Sequence, residues 1–268
     1  MLAQTYVYDV DGRRVLLPSP EEKRSRRIVD DGAGGRAVEE VIERRDVNGN
    51  RLPPEKLLIV EKQGLDGAKI IETTTYRSDL NGRLGVAERS VVTTKEQSGQ
   101  TLTTSVVERP TVNGSLGAVE KTASQTSAVG TKQVTNRSTY VLDQSGKFVE
   151  AVRESIEKVP EGKGIKETVQ EYRNAQTGQM ELSGQRVKVD IPNADGSTTS
   201  EITIYGTVAQ GRTADGQLKL REQQLVTMKP GPGNTMVESI SVRRPDLADS
   251  KMGAYQKVGE KVTQLPTK

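Results

Sequence analysis

Asp79-Leu80-Asn81-Gly82 and Thr111-Val112-Asn113-Gly114 stand 32 residues apart, and that interval decides the fold. Outward from this pair, Asp46-Val47-Asn48-Gly49, Asp143-Gln144-Ser145-Gly146 and Ala175-Gln176-Thr177-Gly178 keep the rhythm, at steps of 33, 32, 32 and 32 residues. Asn-Gly and Asp-Gly are tight-turn signals, because the central positions of a hairpin turn need a positive φ that few other residues adopt. A second series, Asp66-Gly67, Ser98-Gly99, Gly130, Gly162 and Asp195-Gly196, falls between members of the first. Each interval then holds one strand of about 10–12 residues and a short connection.

Side chains outside the turns repeat as well. Leu84-Gly85-Val86-Ala87-Glu88-Arg89 returns as Leu116-Gly117-Ala118-Val119-Glu120-Lys121, and strands leaving the main turns start near positions 13, 50, 83, 115, 147, 179, 217 and 251. The expected fold is all-β: a repetitive antiparallel β-meander of about 16 strands, in eight two-strand units of about 32 residues, forming an extended, curled or single-layer sheet. Residues 1–268 read as a single repeat domain whose terminal units, 1–36 and 234–268, are irregular caps. Extra residues at Pro18 to Arg27, Leu52-Pro53-Pro54 and Gln210 to Thr213 read as loop insertions. Ala37 to Arg45 and Phe148 to Val159 show helical spacing, but their counterparts in other units are rich in Val, Ile and Thr, so strand is expected throughout. Alternation is imperfect, since Ile70-Ile71 and Val106-Val107 put apolar groups on both faces.

Composition sets the limits of such a sheet. Hydrophobic residues make up 32% of the 268, with one Phe, seven Tyr and no Trp, which leaves little for a thick aromatic core. Thirty-nine basic against 36 acidic residues leave a net charge of +3, too small for the usual composition of a disordered chain and without the excess of a nucleic-acid binder. No stretch reaches the roughly 18 apolar residues of a membrane-spanning helix, and the aromatic girdles of a membrane barrel are missing. Cysteine is absent, so no disulfide holds the fold. Ala3 near the start suits the boundary left by a removed signal peptide, giving an expected extracellular or periplasmic location.

With no His and no Cys, the commonest general base, the thiol nucleophile and the usual zinc ligand sets are missing. The carboxylate pairs Asp9 with Asp11 and Asp30 with Asp31 read as turn residues bonding local amides. Ser155-Ile156-Glu157-Lys158 has the spelling of a serine–lysine catalytic motif, which needs a helix and companion motifs not found here. Asp31-Gly32-Ala33-Gly34-Gly35 lacks the strand and fingerprint of a phosphate loop, and Asp9-x-Asp11-Gly12 lacks the closing Glu of a calcium loop. No catalytic, cofactor-binding or metal-binding residue is therefore expected. The candidate contact residues are the basic cluster Lys23, Arg24, Arg26 and Arg27, and the tyrosines Tyr76, Tyr140, Tyr172 and Tyr205 spread along the array. The cluster reads as a solvated loop in the first insertion, offset by Glu21 and Glu22, with an acidic polysaccharide or a phosphate surface as its alternative contact.

Tyr8-Asp9-Val10-Asp11-Gly12-Arg13 resembles the core of the tyrosine-aspartate repeats of Rhs-type and teneurin-type proteins. The resemblance implies β-hairpins spiralling into a large extracellular or toxin-enclosing shell. The expected function is a non-enzymatic, secreted or envelope-associated structural and interaction scaffold that associates with itself or with another envelope or extracellular protein. The alternative is a carbohydrate-binding module that holds a polysaccharide on a sheet face or a row of turns.

Overall fold

The structure is a computed structural model that describes residues 3–8, 13–17, 22–30, 36–46, 48–79, 81–174, 178–206, 218–246 and 251–264. Its strands are β1 (Ala3–Tyr8), β2 (Arg14–Leu17), β3 (Glu22–Asp30), β4 (Arg36–Arg44), β5 (Glu55–Gln63), β6 (Lys69–Ser78), β7 (Leu84–Gln97), β8 (Gln100–Pro110) and β9 (Leu116–Val129). They continue as β10 (Lys132–Leu142), β11 (Phe148–Glu161), β12 (Gly164–Asn174), β13 (Met180–Pro192), β14 (Thr198–Gly206), β15 (Lys219–Gly231), β16 (Thr235–Arg243) and β17 (Gln256–Gln264). All 17 belong to one antiparallel meander sheet, and the described residues include no helix. The segments with helical spacing, Ala37 to Arg45 and Phe148 to Val159, lie in β4 and β11.

The turns carry the rhythm. All ten turn glycines of the two series have φ between +59° and +81°. At the main turn after β6, Asp79 accepts the amides of Asn81 and Arg83 on its carboxylate, while the Gly82 amide donates to the Asp79 carbonyl at 3.0 Å. Asp46 and Asp143 repeat this arrangement; at Thr111 a hydroxyl pair with Ser115, 3.0 Å apart, takes its place. Of the opposite connections, those at Gly64–Ala68 and Asn193–Ser197 keep the same five-residue form, and the one between β7 and β8 is shorter. Ser98-Gly99 alone joins β7 to β8, with φ of 51° and 74°, so both central residues are left-handed as a tight two-residue hairpin requires.

The chain forms two compact units. In the unit comprising Met1–Ser19, Val129–Val134 and Glu154–Lys268, the paired order is β2-β1-β17-β16-β15-β14-β13-β12, so the N-terminal strand zips onto the C-terminal one over five residue pairs. In the unit comprising Pro20–Ala128 and Thr135–Arg153, the order runs β3-β4-β5-β6-β7-β8-β9.

Two features depart from the sequence reading. The insertion expected at Pro18 to Arg27 contributes, from Glu22 on, to the extra strand β3 (Glu22–Asp30), which pairs with β4 over nine residues without a break in register. The pairing also shows where the alternation of the returning strands breaks. In the hairpins β6–β7, β8–β9, β12–β13, β14–β15 and β16–β17, one residue of the returning strand is left out of the register: Ala87, Val119, Ser183, Arg221 and Val258 respectively. Each is a β-bulge, which shifts the inward–outward phase of the strand partway along. Apolar residues that alternate before the bulge therefore change face after it.

The sheet buries little. Among the described residues the buried apolar side chains are Ala37, Ile42, Val60, Ala68 and Val242. Cross-strand pairs of half-buried Thr, Val and charged residues do the rest, such as Thr94 with Thr103 and Thr126 with Thr135, whose hydroxyls lie 3.4 and 2.8 Å apart. Each such pair contributes about 0.2–1 kcal/mol.

Candidate interaction surface

β4 reads Arg-Ala-Val-Glu-Glu-Val-Ile-Glu-Arg, and its two central glutamates point to opposite faces because strand side chains alternate. Both are buried, Glu40 to 1% and Glu39 to 5% exposure. A buried carboxylate must find cations, and β3 supplies them in register. Arg26 stands directly opposite Glu40 and donates from Nε to Oε2 at 2.6 Å, while Arg24, one step diagonal, adds a 3.1 Å bond. On the other face Arg27 stands opposite Glu39 and donates from Nε at 2.6 Å; the Lys56 ammonium on β5 completes that pair.

The pairs extend into ladders. On the Glu40 face, charges alternate from β6 to β3: Arg77 with Glu55, Glu55 with Arg44, Arg44 with Glu22, Glu22 with Arg24, and Arg24 and Arg26 with Glu40. On the Glu39 face the run is Arg27, Glu39, Lys56 and then Tyr76, whose ring lies 5.7 Å from the Lys56 ammonium. These contacts set the ionisation. Hydrogen bonds from Arg26 hold the Glu40 carboxyl below the usual range, Lys56 and then Arg27 do so for Glu39, and Arg44 and Arg24 for Glu22.

The arginines that enclose these carboxylates remain open on their far side. The Arg24, Arg26 and Arg27 side chains are 53%, 67% and 71% exposed, and Ile28 is 72% exposed. Lys23 is exposed as well. The basic cluster is therefore a strand, not a solvated loop, and the partners of its arginines are Glu39 and Glu40 as well as Glu22; Glu21 lies outside the described residues. Sequence reading missed Glu39, Glu40 and Lys56. The available signal was two adjacent acids flanked by Ala37-Val38 and Val41-Ile42, a pattern that demands opposing cations.

The tyrosines form a separate series. Tyr76, Tyr172 and Tyr205 each make the first residue pair on the turn side of a bulge, opposite Val86, Leu182 and Leu220. Tyr140 stands 32 residues before Tyr172, at the same place in its unit. All four are half-buried, and the Tyr172 hydroxyl donates to Gln170 at 3.2 Å. Only Tyr76 joins the basic cluster, through Lys56. Other aromatic rings lie under cations: Arg14 over Tyr6 at 3.6 Å and Lys121 over Phe148 at 4.2 Å.

The remaining motifs come apart or fall outside the described residues. Ser155 and Lys158 lie on β11, three positions apart, so they project to opposite faces; Lys158 pairs with Glu167 at 3.2 Å. Ser155 instead lines an open groove of about 360 Å³ with Glu157, Val159, Glu161, Lys166, Thr168 and Gln170. Asp9, Asp11 and Gly12 of the calcium-like and tyrosine-aspartate stretches, and Asp31 to Gly35, lie outside the described residues. Among the described residues no group of three Asp or Glu side chains gathers as a metal site.

The fold and surface thus define an all-β meander with charge ladders across β3 and β4. No protein-family model matches the chain, and no curated protein matches it. Among solved structures, a protein of unknown function from Bacteroides fragilis aligns with 62% of this chain and 89% of its own, at 10% identity and a TM-score of 0.28.

Proposed function

We propose that this chain is a non-enzymatic structural and interaction scaffold of an extracellular or envelope compartment, completed by association with copies of itself or with another protein. The carrying observation is the scarcity of buried apolar side chains among the described residues of its strands. A sheet that buries so few apolar side chains offers its faces as a surface for association. Light scattering coupled to size exclusion, with negative-stain imaging, tests the reading. Ordered oligomers or elongated particles are expected, and a compact monomer at all concentrations would overturn it.

A second reading, a carbohydrate-binding module, draws support from the polar groove on β11 and β12. Half-buried tyrosines argue against sugar stacking on this sheet, because a stacking platform needs an open ring face. A glycan array probed with the whole chain separates the two; absence of binding to every polysaccharide removes the second.

A further inference from the structure

The sequence places asparagine directly before glycine at Asn48-Gly49, Asn81-Gly82 and Asn113-Gly114, and all six residues are exposed in main turns. Such a pair is chemically labile. Glycine carries no Cβ to shield its backbone nitrogen, so that nitrogen can attack the side-chain carbonyl carbon of the preceding asparagine. The bond from the glycine nitrogen to Cγ forms, the Cγ–Nδ2 bond breaks, and Nδ2 leaves as ammonia with the proton that the glycine amide gives up. Water then opens the resulting succinimide ring at either carbonyl, leaving aspartate or isoaspartate.

The folded turn opposes this step, because the attacking nitrogen is already engaged. The amides of Gly49, Gly82 and Gly114 donate to the carbonyls of Asp46, Asp79 and Thr111 at 3.0, 3.0 and 2.9 Å. Each turn must therefore open before its asparagine reacts, and the rate follows how often it opens. What closes the turns differs. Asp46 accepts the backbone amides of Asn48 and Asn50, both at 2.9 Å, and the Asn50 side-chain amide at 3.0 Å. Asp79 accepts those of Asn81 and Arg83 at 2.8 and 2.9 Å. Thr111 has no carboxylate to offer, and its hydroxyl pairs with that of Ser115 instead. Hydrogen bonds to an ionised acceptor are roughly twice as strong as neutral ones, so the Thr111 turn has the weakest latch of the three. Val112, beside the asparagine, is fully exposed and adds no packing to make up the difference.

We propose that Asn113 is a site of spontaneous deamidation in the folded protein, and that the Asp-closed turns protect Asn48 and Asn81 from the same reaction. Isoaspartate at this position routes the backbone through the side chain and so adds an atom to a turn whose length sets the β8–β9 register. Of the three hairpins, β8–β9 is then the one that ages first. This chemistry does not depend on what the scaffold associates with.

The test is peptide mapping by mass spectrometry of the full chain held at mildly alkaline pH, which follows the exchange of –NH2 for –OH at each asparagine. Asn113 is expected to convert at least about threefold faster than Asn48 or Asn81 in the folded chain. In concentrated urea, where the turns are gone, the three rates should converge. Thr111→Asp should slow Asn113 to the pace of Asn81, and Asp79→Thr should raise Asn81 to that of Asn113, each with an unchanged circular dichroism spectrum. Equal rates in the folded chain, a faster Asn48 or Asn81, the same ranking in urea, or an Asn113 rate unmoved by Thr111→Asp would overturn the proposal.

Discussion

β3–β4 and β8–β9 are hairpin partners in the same compact unit, yet they are held together by different means. β8 and β9 follow the repeat: a turn at Thr111, a bulge at Val119 and half-buried Thr, Ser and Val side chains between. β3 and β4 have no bulge, and they bury two glutamates and Ile42 under exposed arginines. The repeat makes a strand pair from geometry, through turn conformation and many weak cross-strand contacts. The added strand makes one from charge, through a few strong contacts in fixed register. A sheet whose described residues bury so few apolar side chains can use either, since neither requires a thick core.

The largest expected effect comes from the apolar seam beside the glutamates. Ile42→Ala removes a buried side chain and should cost about 2–3 kcal/mol in urea unfolding. Val107→Ala, on half-buried β8, should cost about 1 kcal/mol. Equal losses at the two positions would erase the distinction between a buried seam at β4 and an open repeat at β8.

A smaller effect tests the geometric half of the comparison. Gly82, with φ of +78°, holds the turn after β6; Ala there should cost about 1–2 kcal/mol because a Cβ clashes in the left-handed region. Gly85→Ala, three residues on, meets no atom within 4 Å and needs no positive φ, so its cost should stay within about 0.5 kcal/mol. A similar loss at both glycines would mean that the turn conformation is not what the repeat protects.

The contrast also marks what the sequence could disclose. Turn glycines are legible because a positive φ restricts residue choice, and the strands leaving the main turns begin within a few residues of their expected positions. The bulges are illegible one at a time. Ala87, Val119, Ser183, Arg221 and Val258 share no chemistry, and only the fixed distance from the turn and the broken alternation betray them. β3 is hidden for the opposite reason. Lys23-Arg24-Ser25-Arg26-Arg27 offers no apolar alternation, and its strand character comes from acids on β4 that lie outside the segment. The tyrosines are visible as a series, but sequence spacing does not show that Tyr76, Tyr172 and Tyr205 pair beside bulges or that Lys56 lies against Tyr76.

Acid should separate the two hairpins without any substitution. Glu22, Glu39 and Glu40 are held below a glutamate's ordinary value of 4.5 by the arginines and the lysine around them. A folded-state value below the unfolded one means that the unfolded chain binds more protons, so the contribution is fully present above about pH 5 and is lost as pH falls through the folded values. Asp46, lowered by its bonds from Asn50 and Asn48, weakens over the same side of the scale, and it closes the turn that leads out of β4. The β8–β9 turn has no such dependence, because Thr111 and Ser115 close it with hydroxyls. Amide-exchange protection factors, corrected for intrinsic rates, should fall more between pH 6 and about pH 3 on β3–β4 than on β8–β9. A uniform fall would show that the unit opens as one piece, and that charge is not what holds β3 to β4.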